Sequence, residues 1–310
     1  MTAGPEEEMH GILWAWRDRT NRGGGSDFES KDIFDASKRG LRMPLVSIVI
    51  PCYRGRRFVG EAIESCLRQT HSDLEVIVVD DASPENDAEI AESYAKADSR
   101  VRVLRHERNG GVSRAFNTGF ADAKGEYHTR LAQDDSFRED ALAIMVAGLE
   151  ARPDCGLVYC DMQIVDEYGN FITFTRTEEP DRALLPRHRM GVCVLWRREV
   201  WDRVGPFDPR FDTSEDYEFF LRIYREYPIE KCRGEAPFFF RYHASQGGIR
   251  QEKRQNLTYV MSQAAHHWEM AKRHPLKTEH WRKVVTCKIR ILQRWLELRS
   301  YERKLGTTSR

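Results

Sequence analysis

Two short runs constrain the fold of this chain more than anything else in it: Leu45–Ile50 (LVSIVI) and Leu74–Val79 (LEVIVV). Each is rich in β-branched residues, too short for an ordinary helix, and apolar on both alternating faces. Such runs read as strands covered on both sides. Between them, Phe58, Ala62, Ile63, Cys66 and Leu67 recur at helical spacing over residues 57–69. The same alternation continues, with a helix over 86–97, a strand over Val101–Leu104, a helix over 112–123, a strand over Tyr127–Leu131, a helix over 138–151 and a strand over Gly156–Cys160. Strands separated by single helices imply a mostly parallel α/β sheet with helices on both faces. Ligands of open sheets bind beyond the carboxyl ends of the strands. That rule selects Pro51–Tyr53, Asp80–Ser83 and Gln133–Ser136. Past residue 165 the alternation weakens. Strands are expected at Phe171–Phe174, Val192–Trp196 and Phe238–Tyr242, helices at 197–203 and 215–226, and the last sixty residues read as almost wholly helical.

Composition excludes several classes. Lys+Arg and Asp+Glu are both 49 among 310 residues, so no global basic excess points to nucleic acid. No apolar run approaches the ~18 residues of a membrane span. Met1–Glu8 is acidic without an apolar stretch, so no secretory signal is expected. The seven cysteines are odd in number and form no CxxC, which suits reduced thiols in a cytoplasmic protein. Charge is unevenly spread: residues 251–310 hold 14 Lys+Arg against 5 Asp+Glu, so the body carries the balancing acid. Residues 1–43, with a Gly23–Gly25 spacer and Trp14 and Trp16, read as peripheral.

Acidic residues fall where strands should end. Asp80 and Asp81 follow VIVV, and Asp134 and Asp135 follow the strand ending at Leu131. An Asp in such a place often caps a turn or helix. Two adjacent pairs on one sheet edge also suit a hard divalent cation, which relieves their repulsion. Neither GxGxxG nor GxxxxGK[ST] follows the first strand, where Pro51-Cys52-Tyr53-Arg54-Gly55 stands instead. That speaks against a dinucleotide oxidoreductase and a P-loop NTPase.

The residues from Val46 to Ser83, with RNGGVSRAFNTGFADAKGEY (108–127), LAQDDS (131–136), GVCVLWRREVWDRVGPFDPRF (191–211), SEDYEFFLRI (214–223) and RYHASQGG (241–248), resemble family 2 glycosyltransferases of the GT-A fold. The likeness covers about 200 residues in order. It implies a domain over 44–250, with a nucleotide-binding half at 44–136 and an acceptor half at 137–250, followed by a basic helical extension at 251–310. It implies a metal-dependent, inverting transferase that moves sugar from a nucleotide-sugar donor, with a UDP-sugar expected, to a hydroxyl of a carbohydrate or lipid-linked acceptor. Envelope polysaccharide or glycolipid assembly is the setting such enzymes suggest.

The resemblance also implies roles. Pro51 and Tyr53 would line the nucleotide pocket, and Asp81, with Asp80 beside it, would accept from the pyrimidine N–H. Asn109, Gly111, Arg114 and Asn117 would frame nucleotide and donor sugar. Asp134 would meet ribose or sugar hydroxyls. Asp135 would bind Mn²⁺ or Mg²⁺, with His243 completing the metal or phosphate shell. The family pattern D-A-D-D is here Ala132-Gln133-Asp134-Asp135, without the leading Asp. Asp216 would be the base that deprotonates the acceptor, Glu215 would touch donor or acceptor hydroxyls, and Gly191 would keep the acceptor loop open. Two rivals remain: a non-catalytic sugar-nucleotide-binding scaffold, and a sugar nucleotidyltransferase, whose Gly-rich basic loop is absent.

Elsewhere, His266-His267 reads as surface, since adjacent helical residues do not share a face. Trp281, Val284, Val285, Leu292, Trp295 and Leu296 approximate one stripe of a basic helix. Docking of that stripe on the core is one reading, and attachment to an anionic membrane at the inner face of the cell envelope is the other.

Overall fold

The computed structural model describes residues 43–304, apart from 85–86, 181–188, 233–235, 244–245 and 247–251. Trp14, Trp16 and the 1–42 segment lie outside the described residues.

The two apolar runs are strands β1 (Val46–Cys52) and β2 (Leu74–Asp80), paired in parallel with Cys52 opposite Asp80. Every residue of β2 is buried. Strands β3 (Val101–Arg105) and β4 (Tyr127–Arg130) flank them, also in parallel. The sheet is completed by β6 (Leu157–Tyr159), β9 (Val194–Arg197) and β10 (Ile229–Lys231), in the order β10-β6-β9-β4-β1-β2-β3. Only β9 runs against its neighbours. A second sheet, of order β5-β11-β7-β8, is built from β5 (Ser136–Phe137), β7 (Met162–Val165), β8 (Phe171–Thr175) and β11 (Phe238–Arg241). The sequence reading foresees β8 and β11 but neither the second sheet nor β5, β7 and β10.

Helices cover both faces. On one, α1 (Val59–Leu67), α2 (Asp87–Ala97) and α4 (Ala141–Glu150) share a buried cluster with Ile48, Ile50, Val76 and Val78. On the other, α3 (Val112–Asp122), α5 (Arg198–Val204) and α6 (Glu215–Glu226) share a buried cluster with Val49, Ile77 and Val79. The division follows the pleat, since alternate residues of one strand face opposite sides. Burying Phe116, Trp196, Phe207 and Phe219 together on the second face contributes roughly 1.5–3 kcal/mol for each side chain. That anchors α3 and α6, whose N-termini frame the candidate site.

The chain closes with α7 (Glu252–Arg273) and α8 (Thr278–Lys304), which pack as a helical hairpin against α6. Two expectations fail here. His266 and His267 are buried, with 3% and 5% exposure. They do point different ways, but α6 covers one direction and α8 the other: His266 lies 6.4 Å from the Tyr224 ring and His267 lies 5.8 Å from the His280 ring. The stripe on α8 does not dock as a unit either. Val284 and Cys287 turn inward, while Trp281, Val285, Leu292, Trp295 and Leu296 are exposed. Among the described residues no helix is long and apolar enough to cross a membrane.

Burial pushes His266 down to about 3 and His267 down to about 4, with neighbouring positive groups adding to the effect. An unfolded histidine takes its proton near 6.5. Below that pH the unfolded chain binds more protons than the folded one, so stability falls as pH drops from 6.5 toward 4, by ~1.4 kcal/mol per pH unit for each such group. Replacing both histidines by Gln is expected to flatten the melting temperature against pH in this window. An unchanged slope in the variant would remove these histidines from the acid response.

Candidate active site

Three loops meet at the carboxyl edge of the large sheet. The first follows β1, and Gln133 brackets it: the Tyr53 N–H donates to Gln133 Oε1 at 2.8 Å, and Gln133 Nε2 donates to the Tyr53 carbonyl at 3.0 Å. Gly55 leaves room for this bracket, because a Cβ there would displace the Gln133 carboxamide. The Arg54 N–H donates to Ser83 Oγ at 3.0 Å, joining this loop to the one after β2. Arg54 and Ala82 both take positive φ, at 54° and 59°. That is an uncommon conformation for such residues, and it concentrates at functional sites. Tyr53 is left 38% exposed at the mouth, and Pro51 lies within β1 opposite Val79.

Asp80 caps its own turn, with Oδ1 accepting from the Ser83 N–H at 3.0 Å. Asp81 has a longer reach. Oδ1 accepts from the Gly110 N–H at 2.8 Å and meets His106 Nδ1 at 2.6 Å, and Oδ2 accepts from the Gly111 N–H at 2.8 Å. Three donors of the protein thus fill most of the roughly four acceptor positions of a carboxylate, and one remains for a ligand. Asn109 Nδ2 donates to the Asp81 carbonyl at 3.3 Å. Arg114 is exposed on the first turn of α3. Asn117 stands apart: its carboxamide donates to the Phe207 carbonyl and accepts from the Phe207 N–H, each at 2.8 Å.

The acid pair after β4 is held from below by Arg241 of β11, only 3% exposed. Its N–H donates to Asp135 Oδ1 at 2.9 Å, and its Nε donates to the Asp134 carbonyl at 2.9 Å. His243 Nε2 lies 2.9 Å from Asp134 Oδ2, and its ring packs on Phe58 with centroids 5.0 Å apart. Burial, reinforced by the charge of Asp134, holds the Asp135 carboxyl well above the ordinary carboxylate range. A pair in this state suits a divalent cation. Among the described residues no three His, Cys, Asp or Glu side chains enclose a metal-sized point. A small hard cation does not need such a cage, since one or two carboxylates plus phosphate oxygens and water suffice. Asp135, Asp134 and His243 therefore fit the expected ion by donor type.

Asp216 and Glu215 open α6, both buried. Asp216 Oδ1 accepts from the Tyr217 N–H at 2.7 Å. Arg130, the last residue of β4, reaches both acids: Nη1 is 3.2 Å from Glu215 Oε1 and 3.5 Å from Asp216 Oδ2. Its guanidinium lies over the Phe116 ring, 4.6 Å from the centroid. Arg130 also acts on Asp135, opposing the upward push on that carboxyl. Arg130 thus meets the Glu215–Asp216 pair from the end of the strand that leads into Asp134 and Asp135. Burial, then the Asp216 charge, raises Glu215 to about 8 despite Arg130. Ser214 Oγ is buried without a hydrogen-bond partner. Orphan polar atoms of this kind are rare and call for a partner such as an incoming ligand. The Ser113 N–H donates to Asp212 Oδ1 at 2.9 Å, tying the start of α3 to the loop that delivers Asp216. Gly111 has φ 88°, and a Cβ there would strike the Asp212 carboxylate. Gly191, with φ 77°, packs on Met162 at the edge of the second sheet.

The sheet edge therefore gathers Pro51, Tyr53, Asp80, Asp81 and Asn109 on one side, while Arg130 at the end of β4 pairs with Glu215 and Asp216 on the other. Sequence reasoning missed Arg130, Gln133, Asp212 and Arg241. A lone arginine inside the buried YHTR strand and another closing FFFR are the only advance signals.

Comparisons with known proteins agree with this architecture. The uncharacterized glycosyltransferase EpsJ of Bacillus subtilis is 33% identical over 219 residues, covering 64% of this chain and 61% of that protein. Glycosyltransferase GlyG of Streptococcus pneumoniae is 35% identical over 136 residues, covering 44% of this chain and 45% of that protein. The chain thus spans less than two thirds of the length of either relative. Among solved structures, S. aureus TarS 1-349 in complex with UDP-GlcNAc superposes with a TM-score of 0.60 at 17% identity, over 80% of this chain and 81% of that one. The mannosyltransferase PcManGT from Pyrobaculum calidifontis, in complex with GDP-Man and Mn²⁺, gives 0.55 at 16% identity, over 87% and 81%. These two share the GT-A fold. Residues 47–205, half of the chain and the stretch that holds both strand-end acid pairs, match the family described as glycosyl transferase family 2, and the chain belongs to that family.

Proposed function

We propose that the chain is a metal-dependent, inverting glycosyltransferase that moves a sugar from a UDP-sugar to a hydroxyl of a carbohydrate or lipid-linked acceptor in envelope polysaccharide or glycolipid assembly. The observation that carries this reading is the buried Arg130, which ends the strand leading into Asp134 and Asp135 and pairs with Glu215 and Asp216 at the start of α6. It brings the candidate base to the carboxyl edge of the sheet that carries the acid pair after β4. The UDP-GlcNAc complex of TarS and the GDP-Man and Mn²⁺ complex of PcManGT support a nucleotide-sugar donor on this fold.

In this reading the base and ribose lie over Pro51, Tyr53, Asp81 and Asn109, with Arg114 near the diphosphate and Asp134 on a hydroxyl. Asp135 holds a Mn²⁺ or Mg²⁺ ion together with His243. When bound, such an ion neutralises charge on the departing diphosphate. Asp216 takes the acceptor proton as the hydroxyl attacks the anomeric carbon from the face opposite the leaving group. Glu215, protonated below about 8, donates a hydrogen bond to a sugar oxygen and adds no second charge beside the base. One displacement with one base inverts the anomeric centre.

Melting temperature against UDP, GDP, dTDP and UDP-sugars, with and without Mn²⁺, tests the donor site, because a ligand of the folded state raises the melting point by mass action. A Mn²⁺-dependent rise with UDP and one UDP-sugar is expected. A rise with GDP alone would overturn the donor, and no rise with any nucleotide would overturn the enzyme reading.

Gln133→Ala removes both bonds that fix Tyr53. Nucleotide binding is expected to weaken about tenfold, the equivalent of one to two net hydrogen bonds, with the ligand-free melting point changed little. Unaltered affinity in calorimetric titration would place Tyr53 outside the nucleotide pocket.

A further inference from the structure

Among the described residues, the α7–α8 hairpin presents an exposed apolar face. On α8, Trp281, Val285, Ile289, Leu292, Trp295 and Leu296 are between 37% and 59% exposed. At 100° per residue they occupy an arc of about 120°, beside the inward seam of Val284 and Cys287. The helix therefore has two apolar faces, of which α7 covers one. Trp268 of α7 joins the open face, with its ring 5.6 Å from that of Trp281. Lys272 Nζ and Lys288 Nζ sit 5.8 and 5.6 Å from the centre of the Trp268 ring. Leu276, in the turn between the helices, is 94% exposed.

Charge identifies the occupant. Residues 278–298 carry five Lys and Arg against Glu279 and Glu297. Both acids are paired within the helix, to Lys283 and Arg294. Arg282 and Lys288 give the face its positive excess. Lys288 falls inside the apolar arc, so pairing with a second copy would desolvate like charges against each other. An anionic lipid surface meets both properties at once. Apolar side chains enter the headgroup boundary, Trp rings sit at that level, and Lys and Arg stay among the phosphates.

We propose that the open face of the α7–α8 hairpin is a docking surface for an anionic lipid bilayer, with α8, about 40 Å long, lying in the membrane plane. The same hairpin borders the candidate site: Thr258 Oγ1 is 2.8 Å from Thr213 Oγ1, and the Tyr259 ring is 5.3 Å from Tyr217. Trp268 follows about 14 Å further along α7. Docking would place Asp216 close to the bilayer surface, yet the inference rests on no step of the proposed reaction.

Co-sedimentation of the full chain with vesicles tests it. Binding is expected with phosphatidylcholine–phosphatidylglycerol vesicles, weakly or not at all with phosphatidylcholine alone, and should decline as salt rises. Ile289→Glu with Leu292→Glu alters only exposed positions and should leave the melting temperature unchanged while lowering binding at least about tenfold. Arg282→Glu with Lys288→Glu should do the same. The proposal is overturned if the chain ignores anionic vesicles, if both double variants bind like the parent, or if the apolar double variant abolishes a dimer in a chain that binds no vesicles.

Discussion

Asp216→Asn is expected to lower sugar transfer by about 10²–10⁴-fold, the usual contribution of a positioned general base. Asn keeps the size of the side chain and can still accept from the Tyr217 N–H, which Asp216 Oδ1 meets at 2.7 Å. What it loses is the capacity to take a proton. Nucleotide affinity, which the proposed function assigns to residues after β1, β2 and β4, should stay within a few-fold of the parent. Single-turnover rates and nucleotide titrations on the same preparation separate the two. If affinity falls as far as turnover, Asp216 belongs to the donor site.

Arg130→Met is expected to be the most destabilising single change at the site. Arg130 is 8% exposed and lies against two buried carboxyls and the Phe116 ring. Removing one partner of a buried ion pair leaves the other uncompensated, at a cost of roughly 3–5 kcal/mol. For a domain of this size that lowers the melting temperature on the order of 10 °C. Glu215→Gln should rescue little of it below pH 8, where Glu215 already holds its proton and the stranded charge is that of Asp216. Glu215→Gln alone carries a pH signature. The folded Glu215 binds its proton up to about 8, while an unfolded glutamate loses it near 4.3. Between those values the folded state holds the extra proton, so Glu215 makes stability fall as pH rises. The variant should therefore gain on the parent by ~1.4 kcal/mol per pH unit in that window. A difference independent of pH would mean that Glu215 is ionised in the folded protein. Thermal melts of the four variants of the double-mutant cycle, at pH 5 and pH 8, give both results.

Much of the large sheet was legible because burial on both faces leaves few alternatives. A six-residue β-branched run such as LEVIVV is a central strand, and its carboxyl end names Asp80 and Asp81 without further information. The short strands of the second sheet carry no such signature. MQIV and SF are two to four residues of mixed polarity, and both pair with β11, far along the chain. Gln133 meets Tyr53 across 80 residues and Asp212 meets Ser113 across 99, and no local pattern reports such distances. Arg130 was hidden for another reason: an arginine in a buried strand explains itself only once its counter-ions are placed. In the C-terminal helices the periodicity was correct and the partner count was not. His266 and His267 do lie on different faces, but both faces are covered, whereas the stripe on α8 divides into one covered seam and one open one.

The most direct test of the central claim is proton NMR of a UDP-sugar incubated with the chain, Mn²⁺ and either water or an acceptor hydroxyl. Slow donor consumption, a first-formed product with inverted anomeric configuration, and near-complete loss of that product in Asp216→Asn are expected. A first product with retained configuration, or a signal that Asp216→Asn leaves intact, would contradict the claim.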